Sequence, residues 1–296
     1  MWRDKFETMV VVLSTGRTGT QALAHYFNTC YDQVTALHEP KPTRHFRVMS
    51  NRAATGRLSK DTAVRTLVRS RRRLIESITR PIYIESNWYL YGFLEALKDV
   101  FGKPKILHVV RDPRTFIPSY INYGTFSGLK KIAAQFLPYW YLKPEQYEPR
   151  PAKTWNQMSE PERLAWHWHV VNREIDRAAE MYGPDYMLLR YEDLFPKQAA
   201  EAGPPGLRPL LDWVGLPPSE KMVQLMRDKK LNASPNRGFP RWEQWDEPTR
   251  QAVLARCGEQ MRRYGYADAS DTAGGDARPA PLAPPASVAP AVSANA

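Results

Sequence analysis

The segment Val10 to Phe27, VVVLSTGRTGTQALAHYF, constrains what this chain can fold into more than any other stretch. Val10, Val11, Val12 and Leu13 form an apolar run without alternation, the pattern of a strand buried on both faces of a parallel sheet. A turn of Gly, Ser, Thr and Arg follows, and then a helix-forming stretch that opens near Thr18. Gly16 and Gly19 let the backbone turn tightly and approach an anion, while a helix start offers unpaired N–H groups and a positive dipole end. With the charge of Arg17 added, the layout predicts a phosphate-binding loop at a strand end. It is not the ATPase form, which needs glycines five residues apart followed by Lys; here they are three apart and Thr20 follows.

A second anion-binding pattern lies in Lys105 to Ser119, KILHVVRDPRTFIPS. An apolar strand, Ile106 to Val110, ends in Arg111, and Ser119 falls on the helix that Pro113 starts. A guanidinium offers a fork of donors to a phosphate, and a hydroxyl from the next helix can cap a further oxygen. Taken alone, Arg111 and Asp112 would equally suit a surface ion pair at a strand end.

With both segments in this order, the chain resembles the sulfotransferases that use 3′-phosphoadenosine 5′-phosphosulfate (PAPS), especially bacterial and Golgi-type carbohydrate sulfotransferases. The resemblance implies that Arg17, Thr18, Gly19, Thr20 and Gln21 hold the 5′-phosphosulfate, with Arg17 stabilising the leaving nucleotide, and that Arg111 and Ser119 hold the 3′-phosphate. Tyr191, in MLLRYEDL, matches the family tyrosine near the adenine, although a tyrosine packing at a strand end explains it as well. Arg237 and Gly238, in NRGFPRW, match a late Arg and Gly that close over the 3′-phosphate, with Arg241 as a rival. Relatives acting on carbohydrates carry a catalytic glutamate after the second strand, which makes Glu39 the first choice of base. His38 is its rival, because histidine titrates nearest neutrality while Glu39 would need burial to raise its pKa. Glu85 is a third candidate; nearby, Asn87 stands where cytosolic small-molecule relatives have a catalytic histidine, so the chain departs from that branch. The implied reaction is in-line transfer of a sulfuryl group from PAPS to a hydroxyl or amine of a carbohydrate or small molecule, without a metal.

Strands alternate with helices along the chain: Val10–Leu13, Val34–Leu37, Ile82–Ile84, Ile106–Val110 and Tyr186–Leu189 as strands, with helices at Thr18–Asn28, Asp61–Ile78, Tyr89–Val100, Thr115–Tyr123 and Glu160–Met181. Alternation of this kind predicts an α/β fold, a P-loop-type three-layer sandwich with a central parallel sheet flanked by helices. Ligands in such folds sit at the carboxyl ends of the strands, where Ser14, His38, Glu85 and Arg111 all fall. One domain over residues 1–266 is expected, and from Ala267 to the last residue an Ala/Pro-rich tail unable to build a core. No apolar run approaches the roughly 20 residues needed to span a bilayer, and the Met9–Leu13 run is too short for a signal-peptide core, so a soluble, cytoplasmic protein is expected. Cys30 and Cys257 suit a reducing compartment and form no metal-ligand cluster.

The formal net charge of +11 is concentrated between Lys41 and Arg80, where twelve basic residues face only Asp61 and Glu76. That field would draw an anionic donor or acceptor toward the site, or it is the solvated face of a helix whose other side carries Leu67, Val68, Leu74, Ile75 and Ile78. Between Thr125 and Glu160 an aromatic-rich segment with Phe136, Trp140, Tyr141, Tyr147 and Trp155 is either a loop shaping acceptor choice or packing against the sheet. Trp166-His167-Trp168-His169 reads as core packing, since adjacent helical residues point in different directions. Two other functions compete with sulfotransfer. A phosphotransferase would want a loop lysine and magnesium ligands, and a non-catalytic polyanion binder would rest on the basic stretch alone, without a recognised nucleic-acid motif.

Overall fold

A computed structural model of the protein describes residues 1–124, 137–196, 201, 203–228 and 238–266. The tail expected from Ala267 onward, and Phe136, lie outside the described residues. Five strands, β1 (Thr8–Ser14), β2 (Val34–His38), β3 (Ile82–Ser86), β4 (Lys105–Val110) and β5 (Tyr186–Arg190), form one sheet in the order β2-β3-β1-β4-β5. Every pairing is parallel, so all five carboxyl ends lie along one edge.

The unbroken apolar run of β1 has a direct cause. Met9, Val11 and Leu13 face one core, whereas Val10 and Val12 face another, because successive strand residues point to opposite sides of the sheet. The first core is closed by α3 (Lys60–Ser77), α4 (Leu94–Phe101) and part of α6 (Glu160–Tyr182), through residues such as Leu67, Leu97 and Ile175. The second is closed by α1 (Thr20–Cys30), α7 (Leu207–Val214) and α8 (Glu220–Asp228), through Leu23, Phe27, Leu210 and Met222. The expected three-layer α/β sandwich is therefore the observed architecture. Beside it, α5 (Pro113–Asn122) and α9 (Glu247–Arg263) pack on Trp168 of α6.

Local signals place the helix starts. Ser59 caps α3 by accepting from the Thr62 amide, and Asp112 caps α5 by accepting from the Arg114 amide, with Pro113 at the first helical position. Ser159 and Glu162 form a capping box at the start of α6. The helix after β1 opens at Thr20 rather than near Thr18, because Gly16, Arg17 and Gly19 all adopt left-handed backbone and keep the chain out of the helix until then. The expected Tyr89–Val100 helix is divided into a 3-10 turn, Trp88–Phe93, and α4. A helix absent from the sequence reading, α2 (Arg44–Ala54), packs on that turn. The approach is close: a methyl added at Gly92 would lie 2.7 Å from the Ser50 Cα. Among the described residues no helix is long and apolar enough to cross a membrane.

Candidate functional site

At the carboxyl edge of the sheet, β1 lies between β3 and β4, so the chain crosses it to pass from one side to the other, a topology that opens a crevice there. A cavity of about 680 Å³ occupies this position. The glycine turn, residues 16–22, lines it together with Arg111, Ser119 and Tyr191, and so do His38, Glu39, Arg44, Arg47, Trp88, Tyr89, Trp140 and Tyr141.

The glycine turn is built under strain. Gly16, Arg17 and Gly19 have φ of 81°, 57° and 71°, and the left-handed region costs a residue with a side chain about 1–2 kcal/mol, a cost borne here by Arg17. Ser14 Oγ accepts from the Gly16 amide at 3.1 Å and starts the turn. A Cβ at Gly19 would meet the Phe195 ring at 2.5 Å, so glycine is required there on two grounds. Among the described residues, the hydroxyl oxygens of Thr15 and Thr18 are buried with no hydrogen-bond partner. A buried hydroxyl left unsatisfied costs about 1–3 kcal/mol, so two of them in one turn fit a loop that completes its hydrogen bonding on an anion.

Arg111 meets this turn. Its Nη1 donates to the Arg17 carbonyl at 2.7 Å and to Ser119 Oγ at 3.4 Å, across 94 residues of chain in the first case. Its Nε donates to Thr115 Oγ1 at 3.1 Å, and its guanidinium lies 4.4 Å from the centroid of the Tyr191 ring. Thr115 was not anticipated, although it sits one helical turn after Arg111. Asp112, by contrast, caps α5 and holds Arg114 at 2.7 Å. Burial lowers the pKa of Arg17 from its ordinary value and the Arg111 charge adds to that, a repulsion that an anion between the two would relieve.

The glycine turn and the end of β4 are both tied to one point of α6. His167 Nε2 lies 3.2 Å from the Thr15 carbonyl, which can only accept, so this nitrogen carries the proton. Trp168 Nε1 donates to the Arg111 carbonyl at 2.8 Å. Trp166 and Trp168 are core residues as the sequence suggests, and His167 packs behind the glycine turn, with its ring against Trp88, Phe116 and Tyr120.

Glu39 follows β2 with φ of 45°, a second strained non-glycine position, and its amide donates to the Ser86 carbonyl at 2.8 Å. Burial raises its carboxyl pKa above the ordinary range, opposed by a hydrogen bond from Trp88 and by the charges of Arg47 and Arg44. Trp88 Nε1 in turn stands 3.7 Å from where a Gly16 Cβ would be, which places the Glu39 partner against the glycine turn. His38 pairs through Nδ1 with Ser86 Oγ at 3.1 Å, and its Nε2 is 3.8 Å from Glu39 Oε1. Burial pushes the His38 pKa down to about 4, so this histidine is neutral at pH 7.

Three expectations change. Glu85 does not reach the crevice: it is 2% exposed, and its carboxylate accepts from Arg71 Nη2 at 2.7 Å, Tyr83 Oη at 2.8 Å and Asn87 Nδ2 at 3.0 Å. Those donors occupy both oxygens, so no lone pair is left in place to take a proton from a substrate. Gly238 and Arg241 do not line the cavity, since the chain here is tied to the end of α5 by the Phe239 amide on Asn122 Oδ1; Arg237 lies outside the described residues. The basic stretch also divides, with Arg71 facing the core, Arg47 facing the crevice, and Arg65, Arg69, Arg72 and Arg73 facing solvent. Arg44 and Arg47 were missed because α2 was missed, and Trp88 and Tyr89 because they sit in the 3-10 turn after β3 rather than in a helix. Trp140 and Tyr141, in the aromatic segment, do line the crevice.

No protein-family model matches the chain, and no curated protein sequence matches it. Among solved structures it is similar to the sulfotransferase domain from the curacin biosynthetic pathway, with a TM-score of 0.51 and 15% identity over 86% of this chain and 97% of that one. A sulfotransferase from Alicyclobacillus acidocaldarius aligns over 87% of this chain and 94% of that one, at 12% identity and a TM-score of 0.49. From the first of these comparisons, the chain has the α/β fold of a sulfotransferase domain.

Proposed function

We propose that the protein is a sulfotransferase that moves a sulfuryl group from PAPS to a hydroxyl or amine of a carbohydrate or small molecule. The observation that carries this reading is the 2.7 Å contact between Arg111 and the carbonyl of Arg17, which joins two anion-binding segments in one crevice. PAPS is anionic at both the 5′-phosphosulfate and the 3′-phosphate, and needs two such cradles a fixed distance apart. Backbone N–H groups of residues 18–21 and the Thr18 hydroxyl suit the 5′ end. Arg111, Ser119 and Thr115 suit the 3′-phosphate, and Tyr191 the adenine.

In the proposed step the acceptor oxygen or nitrogen bonds to sulfur as the bond from sulfur to the 5′-phosphate oxygen breaks, releasing adenosine 3′,5′-bisphosphate. Arg17 stabilises the charge that grows on that departing oxygen. Glu39 takes the acceptor proton; its raised pKa favours this role, while His38 stays neutral with its Nε2 3.8 Å away. Calorimetry with adenosine 3′,5′-bisphosphate against magnesium ATP tests the donor, and labelled PAPS with an acceptor panel tests the transfer. Preference for ATP would overturn the reading.

A further inference from the structure

Resting on the reading of the crevice as a sulfuryl-transfer site, we propose that the acceptor carries a carboxylate on a ring, with that anion held by Arg47 and Arg44. Two arginines of the basic stretch are buried, and they differ in what neutralises them. Arg71, 0% exposed, is paired with Glu85 and donates through Nη1 to the Pro42 carbonyl at 2.8 Å. Arg47, 9% exposed, has no carboxylate within ion-pair distance among the described residues.

Aromatic rings surround Arg47 instead. Its guanidinium carbon lies 4.4 Å from the Tyr141 centroid, 4.9 Å from that of Trp140 and 5.6 Å from that of Trp88. Rings offset part of the cost of burying a cation but accept little from its five N–H groups, of which the Tyr141 hydroxyl engages one side. A planar anion is the natural partner for the remaining donor edge.

The charges in the crevice point the same way. Once the donor anions occupy Arg17 and Arg111, Arg44 and Arg47 remain opposite the single carboxylate of Glu39, beside a neutral His38. Trp88 joins the two sets, since it donates to Glu39 and stands under Arg47. With Trp88 touching both Glu39 and Arg47, a ring that carries a hydroxyl and a carboxylate, such as a uronic acid or an aromatic hydroxy acid, can meet both residues. Arg47 and Arg44 also hold the Glu39 pKa down, so an acceptor anion on them would strengthen the base as the substrate binds.

Matched acceptor pairs test this: phenyl β-D-glucuronide against phenyl β-D-glucoside, and 4-hydroxybenzoate against 4-hydroxybenzamide. Each is titrated calorimetrically into enzyme saturated with adenosine 3′,5′-bisphosphate and assayed with labelled PAPS. The acid of at least one pair should bind roughly tenfold or more tightly than its neutral partner, as a charge-assisted hydrogen bond allows. Which pair responds separates the saccharide from the aromatic acid. Arg47→Met should collapse the acid-to-neutral ratio toward one, with nucleotide binding and melting temperature reporting that the variant is folded. Arg44→Ala, at an exposed position, should lower the ratio less and gives a second arm if Arg47→Met does not fold. No binding by either acid, equal binding within both pairs, or an unchanged ratio in both variants would overturn the proposal. Failure to bind adenosine 3′,5′-bisphosphate would instead overturn the transfer reading beneath it.

Discussion

Glu39 and Glu85 stand at the carboxyl ends of neighbouring strands, and what separates them is the number of donors each has met. Glu85 on β3 is enclosed by Arg71, Tyr83 and Asn87 and has no capacity left. The same network reaches forward, because Arg71 also holds the Pro42 carbonyl and Asn87 donates to Thr43 Oγ1 at 3.0 Å, bracing the segment that leaves Glu39. Glu39 itself is strained, faces the crevice and has its pKa raised by burial. The saturated carboxylate builds the wall, and the one that faces the crevice is the one proposed as the base.

The strongest way to break this comparison is Arg71→Met, which strands the Glu85 charge in the core. It should cost about 3–5 kcal/mol in denaturant unfolding, and the double variant with Glu85→Gln should recover much of that. A wild-type midpoint for Arg71→Met would mean that the network carries no structural weight.

Glu39→Gln should reduce turnover by about 10²- to 10⁴-fold, the usual contribution of a general base, while nucleotide affinity holds. Its stability moves the other way from that of Arg71→Met. A carboxyl with a raised folded-state pKa gives stability that is present at low pH and lost as pH rises through that pKa, so at pH 7 Glu39 is a cost. The glutamine variant should melt no lower than wild type at pH 7. Turnover of the wild type should fall as pH drops through the Glu39 pKa, above the ordinary carboxylate value, since the base must be ionised. His38→Asn should keep that acid limb, and a lost limb would transfer the role to the histidine.

Gly19→Ala should cost about 1–2 kcal/mol from its left-handed backbone alone, with the Phe195 contact adding to it, and should weaken adenosine 3′,5′-bisphosphate binding. Adding Phe195→Ala should relieve only the steric part, a difference readable by calorimetry.

A pH-dependent effect concerns His167, whose pKa burial lowers to about 4. A histidine with a depressed folded-state pKa gives stability that is full above about 6.5 and is lost as pH falls toward about 4. His167→Phe should therefore flatten acid destabilisation in that window, in melting curves taken at stepped pH.

The sheet and the meeting of the glycine turn with Arg111 were legible because their signals are local: unbroken apolar runs, glycines beside an arginine, and a strand ending in arginine. The distinction between Glu39 and Glu85 was not, since both simply follow apolar strand residues. A clue did exist in α3, where Arg71 falls on the buried stripe with Ala63, Leu67 and Ile75, so a charge at a core position announced a hidden partner. For α2 there was little to find, as it has no acidic residue in its first turn, no side-chain cap, and basic residues on most of its surface. The acceptor side was lost with it, because Arg47 enters the crevice only once that helix is in place.

His167 and Trp168, consecutive residues of α6, grip the carbonyls of Thr15 and Arg111. One peptide step of a rigid rod thereby acts as the hinge pin of a caliper whose jaws are the two segments proposed to hold phosphate. On the proposed reading, a mononucleotide phosphorylated at a single end would fill one jaw and leave the other empty, so the frame itself would favour doubly phosphorylated molecules.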